Sequence, residues 1–382
     1  MRSGAVVERG SEQQPVTVGV IADPVSTPTE VAQQLREDLP DLLSEQLSEE
    51  CWRVEVQRDQ LPPSDSRHTA MMDVATDRMR EHGWDIAVCV TDLPLRDGKQ
   101  PIVADVSNRR RVIVVSLPAF GAMALRRRVR GVVAQLIADL RGQGTPSEDS
   151  AQHRRRRLPA LAGQFRRVTP TLDNVDVRVV ASRGGARLLI GMVRDNRPWR
   201  LVFGLTGPLV GAFAFSAFYL ISTTVWELAV TMSVLQLVAA VLGSVVVMVG
   251  WLIAYHRLWE QTRDRPAGER EQAVLFNAST VLTLAIGVGC MYAALYVVNL
   301  VAAVVVLTPA VFGQYVGPNP GVGQYMIVIL LVTAAATVAG AVGSGFESED
   351  SIWEAAYSYR ERERRKALRD EQSHREEAES SA

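Results

Sequence analysis

The chain of 382 residues is poor in cysteine and in lysine. Its three cysteines, Cys51, Cys89 and Cys290, are far apart, and Cys290 lies in an apolar stretch. This composition excludes a disulfide-stapled scaffold. Lysine occurs only at Lys99 and Lys366, which leaves few candidates for lysine-based phosphate binding or catalysis.

Charge is missing from two long stretches, 201–226 and 272–346. Both are too long and too apolar for the core of a small soluble domain, so they predict an integral membrane protein. About 20 apolar residues cross about 30 Å of hydrocarbon. We therefore predict a bundle of four transmembrane helices within 199–346, at about 199–222, 229–255, 276–308 and 324–346.

The overall net charge of −1 divides unevenly along the chain: −7 for residues 1–120, +11 for 121–200 and −5 for 201–382. Arginines crowd the segment before the first span, the second loop and the C-terminal tail, whereas the other two loops contain neither lysine nor arginine. Because cytoplasmic loops retain basic residues, this pattern predicts a multi-pass plasma-membrane protein with both termini in the cytoplasm. Residues 1–15 have no apolar signal core, and we expect them to be disordered.

Small residues recur four apart in the predicted spans, which lets helices approach closely. The main interpretation is packing within the bundle, and the alternative is association of two copies. Asn277 and Asn299 are polar but uncharged, and charged groups are nearly absent from the apolar interior, which weighs against ion-coupled transport. The small-residue rows are Gly207 and Gly211, Ala239 and Gly243, and Ala336, Gly340 and Ser344.

Residues 16–142 alternate strand-like and helix-like patterns. Short apolar runs such as VTVGVIA and WDIAVCV are typical of buried strands, and the segments 29–47 and 122–141 carry apolar residues at helical spacing. Strands separated by helices imply crossover connections. The prediction is a cytosolic α/β domain with a mostly parallel three-layer sheet.

Polar residues follow several predicted strands: Asp23, Thr91, Asp92 and Ser116. Ligands of open α/β sheets gather beyond the carboxyl ends of the strands, so these four are the candidate ligand-binding residues. The alternative is that they cap helices and form turns. The sequence has neither a dinucleotide-binding nor a phosphate-loop motif, and its histidines are not at ligand spacing; we predict no catalytic residue, no metal and no cofactor.

A basic segment precedes the first span. We interpret 143–172 as a linker and 173–198 as a basic juxtamembrane segment with an interfacial helix, whose apolar side is flanked by arginines. We expect Arg187, Arg194, Arg197 and Arg200 to face anionic lipid headgroups. A nucleic-acid partner is not expected, because no reading motif is present. Residues 347–382 predict a charged cytosolic helix that docks on the domain or on a neighbour, or is simply solvated.

Two resemblances follow from particular residues. The element order and the T-D-L-P-L turn at 91–95 resemble the archaemetzincin type of zinc peptidase, in which the last helix carries H-E-x-x-H. Here the corresponding segment, 122–141, has no histidine and no glutamate. That resemblance implies an inactive relative that keeps only the scaffold.

The second resemblance spans residues 15–360 and rests on four strings: WDIAVCVTDLPL at 84–95, VSLPAFG at 115–121, MVRDNRPWRL at 192–201 and AVGSGFES at 341–348. They resemble an uncharacterised family of actinobacterial membrane proteins, some labelled 5,10-methylenetetrahydrofolate dehydrogenase. That label implies a catalytic Tyr-x-x-x-Lys, but Leu95 precedes Lys99 by four residues and Arg362 precedes Lys366. No catalytic residue is carried over.

These observations predict a non-enzymatic binding or scaffold module anchored in the membrane, with a protein, a small ligand or a second copy as its partner. The first alternative is a membrane-tethered α/β enzyme, either folate- or nucleotide-linked or an inactive metallopeptidase relative. The second alternative is a small-solute permease with a polar path near Asn277 and Asn299.

Overall fold

The computed structural model describes residues 15–47, 51–62, 69–98, 100–142, 165–168, 170, 175–181, 184–200, 202, 205–260 and 267–343. The disordered N-terminus, most of the linker and the charged tail that the sequence predicts lie outside the described residues. The chain divides into two compact units, residues 1–192 and 193–382.

The described part of the first unit contains one eight-stranded sheet with the order β2-β1-β3-β6-β5-β8-β7, and β4 pairs with β5 outside this path. The strands are β1 Val16–Ala22, β2 Trp52–Arg58, β3 Ile86–Thr91, β4 Arg96–Asp97, β5 Gln100–Ser107, β6 Val112–Ser116, β7 Phe165–Val168 and β8 Val177–Ala181.

The sheet is mixed, which corrects the prediction of a mostly parallel one. Strands β2, β1, β3 and β6 pair in parallel, whereas β5 pairs antiparallel with β4, β6 and β8, and β7 pairs antiparallel with β8. The physical reason is the short turn between β5 and β6, which includes Arg111 at φ 55°. So short a connection joins strands only in an antiparallel hairpin.

Strands β7 and β8 extend the sheet beyond residue 142, where the sequence analysis ended the domain. Strand β7 lies in the segment interpreted as linker, and β8 lies in the juxtamembrane segment, where the alternating pattern of residues 173–180 predicts one strand. A single short strand gives a weak pattern, and its pairing partner β5 lies far upstream. The sheet therefore includes residues on both sides of the predicted boundary.

Three helices cover the sheet: α1 Ser26–Gln46, α2 Thr69–His82 and α3 Leu125–Gly142. Helix α1 buries Val31, Leu35, Leu39 and Leu43 at helical spacing. The chain passes from β1 to β2 in one direction along the sheet and from β2 to β3 in the other; because such crossovers are right-handed in nearly all proteins, we expect α1 and α2 on opposite faces. Helix α3 packs against α1, and α2 packs against a core that includes Cys89 and other strand residues of the second face.

A buried ion pair joins β5 and β8 inside the sheet. The Arg178 guanidinium donates from Nε and Nη2 to the two carboxylate oxygens of Asp105, at 2.8 and 2.9 Å, and from Nη1 to Asp97 at 2.6 Å. Arg178 is 2% exposed and Asp105 is fully buried. Burial lowers the pKa of Arg178, but its hydrogen bonds and charge attraction to Asp105 and Asp97 outweigh this and raise the pKa overall.

Helix α4 spans Gly184–Asp195. Its apolar residues Leu188 and Met192 are buried. A Cβ atom on Gly191 would lie 2.0 Å from the Pro118 carbonyl oxygen, so only glycine permits this approach to the 3-10 turn Leu117–Phe120. The contact shows that the apolar side of α4 packs on the α/β domain; the interfacial helix of the sequence analysis is corrected in this respect.

The second unit consists of apolar helices: α5 Thr206–Tyr219, α6 Thr223–Thr231, α7 Val234–Tyr255, α8 Ala267–Val306, α9 Pro309–Val316 and α10 Val322–Gly343. By length and composition, α7, residues Arg270–Val306 of α8, and α10 can each cross a membrane. The described chain thus contains three helices of the length and hydropathy of membrane spans.

The first predicted span, 199–222, is not a continuous helix. Helix α5 has only 14 residues, and the chain then turns by 91° into α6. The pair counts as a fourth span only if both parts are one broken span. The next span begins at Val234 rather than 229, because Ser233 and Gln236 form a reciprocal capping box that starts α7 there.

Glycines bring α5 and α10 into close contact. A Cβ atom on Gly340 would lie 2.7 Å from the Pro208 carbonyl oxygen, and one on Gly343 would lie 2.6 Å from the Gly207 carbonyl oxygen. Close backbone approach of this kind is the packing that small-residue rows permit. On α7, by contrast, a Cβ on Gly243 would meet nothing within 4 Å.

Candidate functional site

Three of the four candidate ligand-binding residues lie side by side at one edge of the sheet. Asp23 follows β1, Thr91 ends β3 and Ser116 ends β6, and these are neighbouring parallel strands. Thr91 and Ser116 are direct partners in the strand register. Asp92 is next to Thr91 in the chain and is 7% exposed.

The Asp23 carboxylate is fully buried and accepts hydrogen bonds from two segments. Its Oδ1 accepts from the Leu61 backbone N–H at 3.0 Å, and its Oδ2 accepts from the Thr91 hydroxyl at 2.7 Å. The Thr91 oxygen in turn accepts from the Leu93 backbone N–H at 3.2 Å. Asp23 thereby ties the loop after β2 to the end of β3.

Ser116 holds the turn that follows β3 in the same way. Its hydroxyl donates to the Leu93 carbonyl oxygen at 2.6 Å and accepts from the Leu95 backbone N–H at 3.3 Å. Ser116 and Thr91 are fully buried. The alternative interpretation, that these short polar residues form turns, is what the geometry shows for Thr91 and Ser116.

The thiol of Cys89 is unsuited to nucleophilic chemistry. Cys89 lies inside β3, and burial raises the pKa of its thiol to about 12, so the nucleophilic thiolate does not form at neutral pH. Among the described residues no group of three or more histidine, cysteine, aspartate or glutamate side chains could hold a metal ion.

The four candidate lipid-facing arginines have different surroundings. Arg187 is half-buried and donates from Nε and Nη2 to the Phe120 carbonyl oxygen, at 3.1 and 3.0 Å. Its guanidinium also lies 4.8 Å from the ring centre of Phe165. Arg194 binds the Asp195 carboxylate, whereas Arg200 is exposed beside Trp199. Arg197 is half-buried with a φ of 48°.

Sequence reasoning missed a partner of Arg187. Arg128 of α3 donates from Nη1 to the same Phe120 carbonyl oxygen at 3.1 Å. Burial lowers the pKa of Arg187, and the nearby positive charge of Arg128 lowers it further. The only signal in the sequence is the arginine-rich run RRRVR at 126–130, whose spacing does not identify Arg128 as a neighbour of Arg187.

Asp195 was also missed. Its side chain is 5% exposed, Oδ1 accepts from Arg194 at 2.6 Å, and Oδ2 has no partner among the described residues. Burial raises the pKa of Asp195 to about 6, while the charges of Arg194 and Arg197 act in the opposite direction. The next residue, Asn196, donates to the Thr283 hydroxyl of α8 at 3.1 Å.

The two asparagines of α8 form separate contacts between segments. Asn277 pairs with the backbone N–H and C=O of Glu260, at 2.8 and 2.9 Å. Asn299 donates to the hydroxyls of Ser216 in α5 and Thr333 in α10, at 3.1 and 3.0 Å. At 1.5 Å per residue the two asparagines are about 33 Å apart along the helix, so they do not share one site.

Comparison with known proteins adds no assignment: no protein-family model, curated protein or solved structure matches this chain. The resemblances drawn from the sequence therefore stay predictions.

Proposed function

We propose that this membrane protein uses its α/β domain as a binding or scaffold module at the cytoplasmic face, and that the domain is not an enzyme. The observation that carries the proposal is the hydrogen bonding of Asp23. A carboxylate that catalyses proton transfer must reach the substrate. Asp23 instead is buried and ties together backbone and side-chain donors of its own domain.

The helical unit supports an anchoring role. Its buried polar side chains, such as Asn299, link neighbouring helices, and these contacts resemble those that hold membrane helices together. A permease would need polar groups lining a path, whereas Asn277 and Asn299 each bind a neighbouring segment. We therefore prefer an anchor to a transport unit.

A hydride-transfer assay separates this proposal from the folate-linked enzyme. The full chain, purified in mild detergent, is incubated with nicotinamide cofactors and methylenetetrahydrofolate. We expect no turnover above that of a detergent blank, and a partner that co-purifies in stoichiometric amount. Turnover that Asp23→Asn abolishes, while leaving the thermal unfolding temperature unchanged, would overturn the proposal.

The proposed orientation can be tested with the native cysteines. Cys51 is exposed, Cys89 is buried and Cys290 is half-buried within α8. A membrane-impermeant maleimide should label the chain only after cells are permeabilised, and Cys51→Ser should remove that label. Labelling of Cys51 in intact cells would place the domain outside and contradict the cytoplasmic assignment.

A further inference from the structure

Two guanidinium groups converge on one carbonyl oxygen in the α/β domain. Arg128 and Arg187 both donate to the Phe120 oxygen, at 3.0–3.1 Å. The donor nitrogens of the two residues therefore lie within about 6 Å of each other. Like charges at this distance repel each other, and both side chains are half-buried, where water screens them less than at the surface.

No acidic side chain among the described residues forms an ion pair with either guanidinium. The neighbouring arginines of α3 differ in this respect, because Arg126 pairs with Glu30 at 3.4 Å and Arg130 pairs with Asp38 at 2.8 Å. Both of those contacts are made to α1. The positive charge at Phe120 is thus left without a protein counter-charge in the described chain.

The fold holds this arrangement in place. Phe120 ends the 3-10 turn that follows β6, and the chain passes through Gly121, at φ 76°, before α3 begins. Arg187 comes from α4, which reaches the turn because Gly191 has no side chain. The Phe165 ring lies under the Arg187 guanidinium. Backbone, glycine and ring contacts from separate parts of the sequence thus position the two arginines.

The position along the sheet also suits a ligand. The turn follows the carboxyl end of β6, a parallel strand, and this is the edge where α/β sheets bind ligands. The first turn of α3 contains no acidic residue, so the partial positive charge of its N-terminus adds to that of the arginines.

We propose that Arg128 and Arg187 together bind a phosphomonoester group, carried either by a soluble ligand or by an anionic lipid headgroup such as that of phosphatidic acid. This inference rests on the proposed binding function and names its ligand class. Each guanidinium has five N–H donors in a planar fork, and the Phe120 oxygen occupies only some of them. The remaining donors match phosphate oxygens, and the negative charge relieves the repulsion between the two arginines.

The soluble arm of the test uses inorganic phosphate. The full chain in zwitterionic detergent is titrated with sodium phosphate, against sodium chloride at equal ionic strength, while thermal unfolding is followed. We expect phosphate alone to raise the unfolding temperature. Because each substitution removes charge-assisted hydrogen bonds to the phosphate, Arg128→Gln or Arg187→Gln should raise the titration midpoint about tenfold or more.

The lipid arm uses the same protein in nanodiscs of phosphatidylcholine, alone or with phosphatidic acid. Stabilisation by phosphatidic acid that both variants lose assigns the phosphate to a lipid headgroup. Stabilisation only by inorganic phosphate assigns it to a soluble ligand. Phosphatidylserine at matched charge is the control, because it offers a phosphodiester rather than a phosphomonoester.

Arg126→Gln is the matched variant: it removes one positive charge from the same helix turn, but from an arginine that already has an acidic partner. We expect its phosphate midpoint to stay within about twofold of the wild type. Arg187→Lys keeps the charge but loses the planar fork, so its midpoint should lie between those of the wild type and Arg187→Gln. Equal weakening in Arg126→Gln, or no effect of phosphate beyond that of chloride in either arm, would overturn the site. Neither result depends on hydride transfer, so the phosphate site and the non-enzymatic role fail separately.

Discussion

The two units of the chain bury their polar side chains in different ways. The α/β domain buries the Arg178–Asp105 ion pair and the hydrogen-bonded carboxyl group of Asp23. Within the long helices of the second unit, the described polar contacts are made by neutral groups, such as Asn299 with Ser216 and Thr333. Both units use these contacts to join elements that are distant in the sequence.

We relate this difference to the medium around each unit, namely water around the α/β domain and lipid around the apolar helices. A domain surrounded by water can bury a charge if a fixed counter-charge and hydrogen bonds compensate for the lost hydration. In lipid the same charge has no nearby water and costs several kcal/mol more, so amides and hydroxyls take its place. Four substitutions test this contrast, in order of decreasing expected effect.

The largest effect is expected in the sheet. Asp105→Ala leaves Arg178 buried without its main partner and should lower the free energy of unfolding by about 3–5 kcal/mol. Chemical denaturation of the full chain in detergent, followed by tryptophan fluorescence, to which Trp52 and Trp84 of the domain contribute, measures this loss. Asp97→Ala removes the other partner, which is 60% exposed, and should cost less than about 1 kcal/mol.

The double variant Asp105→Leu with Arg178→Met sharpens the interpretation. If the pair mainly sets the register of β8, replacing both charges by apolar groups should restore most of the stability. A double variant as unstable as Asp105→Ala would show that the ion pair itself provides the stability of this part of the sheet.

The second prediction concerns Asp195, the buried carboxylate that precedes the first apolar helix. Asp195 is ionisable but belongs to the second unit, so it tests how far the contrast between charged and neutral buried groups holds. Its folded-state pKa of about 6 lies above the ordinary value of 3.8, so the unfolded state releases the proton first. Stability should then fall as pH rises from about 4 to 6, by up to about 3 kcal/mol. Asp195→Asn should remove this slope and stabilise the protein at pH 7, as unfolding at a series of pH values would show.

A wild-type stability that rises over the same pH interval, with Asp195→Asn unchanged, would contradict that assignment. Arg200→Gln is the matched control, because this neighbouring charge is exposed and should leave the pH slope intact.

The third prediction concerns close packing in the helical unit. Gly343→Ala places a Cβ atom 2.6 Å from the Gly207 carbonyl oxygen and should cost about 1–3 kcal/mol through overpacking. Unfolding by sodium dodecyl sulfate titration in mixed micelles measures the change. Gly289→Ala, the same substitution at a site with nothing within 4 Å, should be neutral or slightly stabilising, since alanine favours helix.

The smallest effect is expected for a neutral contact between helices. Asn299→Ala removes the donor to Ser216 and Thr333 and should cost about 0.6 kcal/mol, and at most about 1.7, in the same titration. Thr231→Ala is the comparison, because that exposed hydroxyl bonds only to carbonyls of its own helix. A loss above 3 kcal/mol at Asn299 would show that neutral and charged contacts do not differ as proposed.

The sequence predicted the elements of the fold better than their pairing. The strands β1, β3 and β6 and the apolar helices follow from runs and periods that are local in the chain. The Arg178–Asp105 pair joins residues 73 positions apart, and no local pattern connects them. The bend between α5 and α6 was missed because residues 219–223 contain neither proline nor glycine, the usual signals of a break.

The candidate site was predicted in its position but not in its chemistry. The sequence analysis assigned Asp23, Thr91 and Ser116 to strand ends, and the structure brings these strand ends together at one edge of the sheet. Their hydrogen-bond partners include the backbone N–H groups of Leu61, Leu93 and Leu95, and the sequence does not indicate that these groups lie nearby. Arg187 was predicted only as one of four lipid-facing arginines, because only the fold shows that it shares one carbonyl oxygen with Arg128.

The late position of β8 in the chain sets an order of events during synthesis. Ala181 ends this strand, and the first apolar helix begins at Thr206. At about 5–20 residues per second, roughly one to five seconds separate the two on the ribosome. The sheet therefore becomes complete almost at the moment when the first apolar helix is synthesised, and slow closure of β5 with β8 would leave an open strand edge while the apolar helices follow.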